Sequence, residues 1–246
     1  SQLFKRLSLS FNIQKKIFSY AKKKKMEIFS TPFDTKSADF LEKCKVNIFK
    51  IASADLVNLP LIEYVAKKNK PIILSTGMSK ISEIDEAVEV VRNTGNQNLI
   101  LLHCNSAYPS NYAEMNLKFI DTLKKMYDVP IGLSDHTTDL LACKVAISRG
   151  CTVIEKHFTL SNKMEGPDHI LSSDLKEMTE LVDNVENINL LLGDGIKKIQ
   201  PNEYVTLNAQ KKSLYSLKNI KKGEIFSEKN ICVKGPSGGI LPKFKK

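Results

Sequence analysis

The sequence predicts an α/β chain built on a parallel (β/α)8 TIM barrel lacking its first two strands, followed by the start of a small β-rich domain. Six short apolar or β-branched runs alternate with stretches of helical periodicity at spacings of roughly 20–30 residues, as βαβ units do. Several of these runs are apolar on both faces, which suits strands with helices on one side and a barrel interior on the other. From Ser213 the texture changes to short strands broken by turns, ending in Gly235-Pro236-Ser237-Gly238-Gly239.

Taken in order, Phe11, Ile13, Ile17, Phe18 and Ala21 recur at helical spacing, which predicts a helix capped by Ser8 or Ser10. The Lys22–Lys25 run suits its C-terminal end, where the helix dipole favours cations. Met26–Thr31 is the first expected strand, with helix Ser37–Cys44 after it. Strand Ile48–Ser53 leads to helix Pro60–Lys68, strand Pro71–Thr76 to helix Ile81–Arg92, and strand Leu99–Cys104 to helix Leu117–Met126. Strand Pro130–Ser134 and helix Thr138–Ser148 follow, then strand Thr152–Phe158. Gly95 and Gly150 fall where helices should stop before the next strand. A polar loop, Leu160–Ser173, precedes a long helix over Asp174–Leu192 that ends at Gly193-Asp194-Gly195. Eight strands would need two more than these six, and the first helix has no strand before it. Residues 1–198 therefore read as an N-terminally truncated barrel, 199–212 as a polar linker, and 213–246 as a partial β domain too short to bury its own core.

The chain has 246 residues, 42% of them hydrophobic and 26% charged, which is ordinary for a globular protein that can bury a substantial core. No apolar stretch has the length of a membrane span and no signal-peptide core is visible, so no membrane partner is expected and the cytoplasm is the expected location. The net charge of +10 comes almost wholly from lysine; Arg6, Arg92 and Arg149 are the only arginines. Base and phosphate recognition favours arginine forks, and no nucleic-acid-binding pattern is present. A solvated lysine surface, whose field would also favour an anionic small substrate, fits better than a nucleic-acid partner. Five cysteines without CxxC spacing read as reduced thiols, not disulfides.

Catalytic groups of a parallel barrel gather at the C-terminal strand ends. Here those ends carry Ser30 and Thr31; Lys50, Ser53 and Asp55; Ser75 and Thr76; His103, Asn105, Ser106 and Tyr108; Ser134, Asp135 and His136; Glu155, Lys156 and His157. Loops are polar anyway, but the set includes hydroxyls and a lysine suited to phosphate, carboxylates for proton transfer, and two imidazoles. His136 and His157 end successive strands. They read either as a metal pair or as separate residues bonded to nearby backbone. Lys50 could hold an anion or pair with a carboxylate inside the barrel. Lys156 could form a Schiff base if desolvated, yet alternation turns it away from Glu155 and His157, toward the helices. His103, beside Leu101 and Leu102, reads as a core histidine, and His169 as a loop residue of open role.

Seven ordered segments carry a resemblance: Phe29–Asp34 (FSTPFD), Lys50–Asp55 (KIASAD), Ile73–Met78 (ILSTGM), Leu102–Pro109 (LHCNSAYP), Gly132–His136 (GLSDH), Glu155–Thr159 (EKHFT) and Gly166–His169 (GPDH). In order and spacing they resemble the sialic acid (nonulosonic acid) synthase family, and Lys218–Ile231 is similar to the opening of that family's antifreeze-like SAF domain. The resemblance implies condensation of phosphoenolpyruvate with an N-acetylmannosamine-type sugar, giving a nine-carbon 2-keto acid and phosphate. It implies a divalent metal, manganese above magnesium or cobalt, on His136 and His157. It implies phosphoenolpyruvate contacts at Thr31, Lys50, Ser53, Ser106 and Ser134, and sugar contacts at Tyr108 and Asp168. Asp55, at an acidic position near the reacting carbons, and Glu155, beside the metal, are the implied catalytic carboxylates. A domain-swapped homodimer is implied for the full-length protein.

Departures from the family pattern are the missing first strand with its glutamate, the missing second strand with its lysine and glutamine, and Lys234-Gly235-Pro236 where many members have Lys-Arg-Pro. Two rival readings are a Schiff-base aldolase or keto-acid synthase using Lys156 or Lys50, and an inactive remnant with a binding role.

Overall fold

A computed structural model describes residues 8–245, so residues 1–7 of the expected barrel and residue 246 of the expected β domain lie outside the described residues. Two compact units divide between Leu192 and Gly193. The first begins with helices α1 (Phe11–Lys23) and α2 (Thr35–Lys43). Strand and helix then alternate through β1 (Phe49–Ile51), α3 (Leu59–Ala66), β2 (Ile72–Ser75), α4 (Ile81–Asn93), β3 (Leu99–Cys104) and α5 (Phe119–Met126). The unit closes with β4 (Ile131–Asp135), α6 (Leu141–Ser148), β5 (Val153–Lys156) and α7 (Leu175–Leu192). Local chemistry sets the helix ends. Ser10 accepts the Ile13 N–H at 3.4 Å, Asp34 accepts the Ser37 N–H at 2.7 Å, and Asn58 accepts the Leu61 N–H at 3.4 Å. Gly95 and Gly150 take φ of 84° and 81° just past α4 and α6, where a side chain would be strained.

The five strands form one parallel sheet in chain order, β1 to β5. Register partners point to the same face and successive residues alternate. One face carries Phe49, Ile51, Leu74, Leu101, Ile131 and Leu133, all in a single core shared with the helices. Each fully buried Leu or Ile there contributes about 1.5–3 kcal/mol. The opposite face carries Lys50, Ser75, Cys104, Ser134 and Glu155 toward its C-terminal end.

Lys50 and Glu155 stand on the two outermost strands, which a flat sheet would hold about 19 Å apart, at about 4.8 Å per step. Their charged ends lie 3.3 Å apart. The sheet therefore curls around its polar face as a barrel wall does, and the fold is a partial (β/α) barrel.

Met26–Thr31 corrects the expected strand count. It forms no strand, and no backbone ladder joins 27–31 to the sheet. Its apolar residues face partly outward, with Met26 66% and Phe29 38% exposed. An apolar run signals burial, whereas a strand also needs paired peptide groups.

In the second unit a short helix, α8 (Tyr204–Gln210), occupies much of the stretch expected as linker. Strands β6 (Ser213–Ser216) and β7 (Ile231–Lys234) pair antiparallel. Asn230 fixes the turn between them, accepting from Ser227 N and donating to the Ile225 carbonyl at 2.9 Å. Among the described residues no helix is long and apolar enough to cross a membrane, and all five cysteines are free thiols.

Candidate active site

His136 and His157 are the first residues beyond β4 and β5, and parallel register brings their rings to 5.3 Å between centroids at 70°. Tyr108 packs beside both, 4.2 Å from His136 and 5.8 Å from His157. The His136 Nδ1 lies 2.9 Å from the Asn105 carbonyl oxygen. A carbonyl can only accept, so neutral His136 carries its proton on Nδ1 and leaves a lone pair on Nε2. The backbone is held as firmly. Ser110 N donates to His136 O at 2.9 Å, and Ser173 N donates to His157 O at 2.8 Å. The 160–173 loop is pinned by Asn162, which donates to the Ser172 carbonyl at 2.6 Å, and by Ser172, which donates to the Asp168 carbonyl at 2.7 Å. Asp168 Oδ2 thereby stands 3.8 Å from His157 Nδ1.

A band of lysine, hydroxyl and thiol groups lines the same inner face beside these rings. Lys50, only 7% exposed, pairs with Glu155, whose other oxygen accepts the Ser134 hydroxyl at 2.6 Å. Ser53 Oγ accepts the Gly77 N–H at 3.0 Å. Cys104 Sγ lies 3.6 Å from Ser106 Oγ and 3.9 Å from His136 Nδ1. Gly77 is the hub of this group: a Cβ there would overlap Ser106 Oγ and come within 2.9 Å of Ser53 Oγ and 3.1 Å of Cys104 Sγ. Ser75, on the same face, is buried with no partner for its hydroxyl. A buried hydroxyl left unpaired is costly, and here it faces the polar interior of the curl.

Burial works against ionisation of the Cys104 thiol, but hydrogen bonds from His136 and Ser106 outweigh it and hold the thiol below its usual range. Burial also opposes protonation of His136, and Cys104 with the Asn105 carbonyl overcomes it, so this imidazole is held above its ordinary value. His157 is pushed down, by burial first and by His136 second. Two close imidazoles thus differ in their readiness to stay neutral, and a neutral imidazole is the metal-ligating form. Burial raises Tyr108.

Lys50, Ser134 and Glu155 are bonded to one another, Ser53 and Ser106 meet at Gly77, and Tyr108, His136, His157 and Asp168 form a third cluster. Two expected residues join none of these by a side-chain bond. Asp55 sits in a 3-10 turn and accepts the Asn58 amide at 3.0 Å, and Thr31 is half-buried in the loop before α2. Lys156 points to the helix side as alternation predicts and pairs with Asp135 at 2.9 Å, with its side chain 1% exposed. His103 is a core histidine, 2.6 Å from the Met115 carbonyl, and burial lowers its pKa. His169 bonds Thr159 Oγ1 at 2.7 Å and so braces the 160–173 loop. Reasoning from the sequence misses Cys104 and Gly77 as parts of the site, and it places Ser75 at a strand end without giving it a role. Strand alternation places Ser75 and Cys104 on the face of Ser134, but the approach to Gly77 comes from the ends of the two flanking strands, Ser53 after β1 and Cys104 with Ser106 at the end of β3.

Fold and strand-end chemistry together define a (β/α)-barrel enzyme. Sequence comparison makes the class specific: the NeuB family profile matches residues 1–197. The chain is 43% identical over 241 residues to the N,N'-diacetyllegionaminic acid synthase of Campylobacter jejuni, covering 97% of this chain and 72% of that protein. It is 35% identical over 245 residues to the pseudaminic acid synthase of Helicobacter pylori, covering 100% and 72%. Among solved structures, the N-acetylneuraminic acid synthetase of Leptospira borgpetersenii superposes with a TM-score of 0.78 at 36% identity, over 83% of this chain and 72% of that one. The chain belongs to the NeuB family, and it is a carbon–carbon bond-forming synthase.

Proposed function

We propose that the protein condenses phosphoenolpyruvate with an open-chain N-acetylmannosamine-type sugar, giving a nine-carbon 2-keto acid and phosphate. C3 of phosphoenolpyruvate bonds to the aldehyde carbon, water adds at C2, and phosphate leaves. The observation that carries this reading is the meeting of His136 and His157 at 5.3 Å beside a lysine-and-hydroxyl band, in a chain of this family. Among the described residues no three His, Cys, Asp or Glu side chains stand together as a metal site. The chain would therefore supply two imidazoles, which suits a catalytic site whose other positions go to substrate and water. A bound divalent ion, manganese first and magnesium or cobalt next, supplies Lewis acidity at the sugar aldehyde.

The chain's own groups do the rest. Lys50 and the hydroxyls of Ser53, Ser75, Ser106 and Ser134 bind the phosphate and carboxylate of phosphoenolpyruvate, with Thr31 at their rim. The orphan hydroxyl of Ser75 gains a partner in that complex. Glu155, oriented by Ser134 and Lys50, holds the water that adds at C2. Asp55 carries a proton near the reacting carbons. Tyr108 and Asp168 orient the sugar chain. We read the 193–246 unit as part of a SAF domain and the protein as a domain-swapped homodimer, whose dimeric mass light scattering would report.

The test is phosphate release from phosphoenolpyruvate plus sugar. Turnover requires both substrates and manganese, and His136→Ala lowers it at least about a hundredfold. Metal-independent turnover, or an unaffected His136→Ala, contradicts the reading. An imine trapped by borohydride would replace it with Schiff-base chemistry. The 43% identity to a legionaminic acid synthase puts the diacetamido relative of N-acetylmannosamine first among the sugars to assay.

A further inference from the structure

Directly behind the two histidines lies a buried ion pair that the proposed chemistry does not use. Asp135 and Lys156 each precede one of the histidines and are register partners on β4 and β5. Alternation turns both to the helix-covered face, where their side chains are 0% and 1% exposed and their charged ends 2.9 Å apart. The Asp135 carboxylate also accepts the Thr137 N–H and hydroxyl, each at 3.0 Å, and the Cys143 thiol at 3.2 Å. Lys156 donates to the Thr137 carbonyl as well. The pair therefore grips the chain on both sides of His136 and ties it to the residue before His157.

Stability alone does not account for this arrangement. Desolvating two charges generally costs more than packing an apolar pair of similar volume. The preceding pair on the same face, Leu133 with Ile154, is apolar and sits in or against the core. A charged pair at the next register position, directly under both rings, fits a geometric role.

We propose that Asp135 and Lys156 are positioning residues that set the separation and tilt of the His136 and His157 imidazoles. They act through the backbone, and the proposal rests on the reading of the two histidines as a metal pair. Rings held at a fixed separation bind one ion without first being ordered, so loosening them weakens ion binding in a protein that is still folded.

The experiment uses manganese alone as the probe, with free ion measured by electron paramagnetic resonance in titrations of the whole chain. Asp135→Leu/Lys156→Met removes both charges at once, so no buried charge is left unpaired. Its metal affinity is expected to fall about ten- to hundredfold, with the thermal midpoint of the metal-free protein unchanged. Asp135→Asn/Lys156→Gln keeps a cross-strand hydrogen bond and should recover part of that loss. If the apolar variant does not fold, the amide variant alone decides, with a loss of about threefold or more expected. Wild-type affinity in the folded variants overturns the positioning role and leaves the metal reading intact. A wild-type protein that binds no manganese overturns both.

Discussion

Gly77→Ala perturbs the candidate site through a single methyl group. Gly77 is not in the left-handed region, so alanine suits its backbone, and the cost is one of space. The new Cβ would overlap Ser106 Oγ and stand 2.9 Å from Ser53 Oγ, which the Gly77 N–H already holds at 3.0 Å. Ser106 can escape by rotating about one bond, so the stability loss should lie at the low end of the about 1–3 kcal/mol typical of overpacking. The rotated hydroxyl no longer faces the band proposed to bind the substrate anion. Losing one hydrogen bond to a charged group costs about 1.5–3 kcal/mol, or about a ten- to hundredfold rise in KM for phosphoenolpyruvate. Steady-state kinetics and thermal denaturation separate the two effects. Gly77→Ala/Ser106→Ala, which removes the overlapping atom, should regain stability while KM stays high, a non-additive pattern. An unchanged KM in Gly77→Ala would refute the assignment of Ser53 and Ser106 to the substrate anion.

Lys50→Met should raise KM for phosphoenolpyruvate about ten- to hundredfold and change stability by less than about 1 kcal/mol, because Glu155 keeps Ser134 and is partly solvated. A large stability loss with normal kinetics would make Lys50 a structural residue. Burial holds His103 below its ordinary value of 6.5 in the fold, while the unfolded chain protonates at that value. Its contribution to stability is therefore present above pH 6.5 and declines as the pH falls below it toward the folded value. Urea midpoints followed between about pH 7.5 and 5.5 should fall less steeply in His103→Gln than in the wild type; parallel curves contradict this.

Strand existence is readable in this sequence because the helix-covered face is apolar and the inner face keeps apolar residues such as Ile73 and Leu102 before the polar strand ends. Period-two alternation further predicts that Lys156 turns outward while Glu155 turns inward, and the ion pairs of both residues agree. Met26–Thr31 shows the limit, since hydrophobicity reports burial and says nothing of whether peptide groups find a ladder. The histidine pair is suggested by position alone, but its tautomer depends on the Asn105 carbonyl, which comes from another strand end. Cys104 gives no warning in an apolar run, because a buried thiol looks the same whether its neighbour is a methyl group or an imidazole. Asp55 and Thr31 rest on motif resemblance, and their present bonds do not tie them to the rest of the site.

The central claim is that this curl of polar strand ends joins phosphoenolpyruvate to a sugar aldehyde. Nuclear magnetic resonance on a reaction with phosphoenolpyruvate labelled with carbon-13 at C3 tests it directly. The account predicts a new carbon–carbon bond from the labelled C3 to the former aldehyde carbon, formed only with manganese and lost in His157→Ala. Label found only in pyruvate, with phosphate released at the same rate whether or not sugar is present, would contradict it.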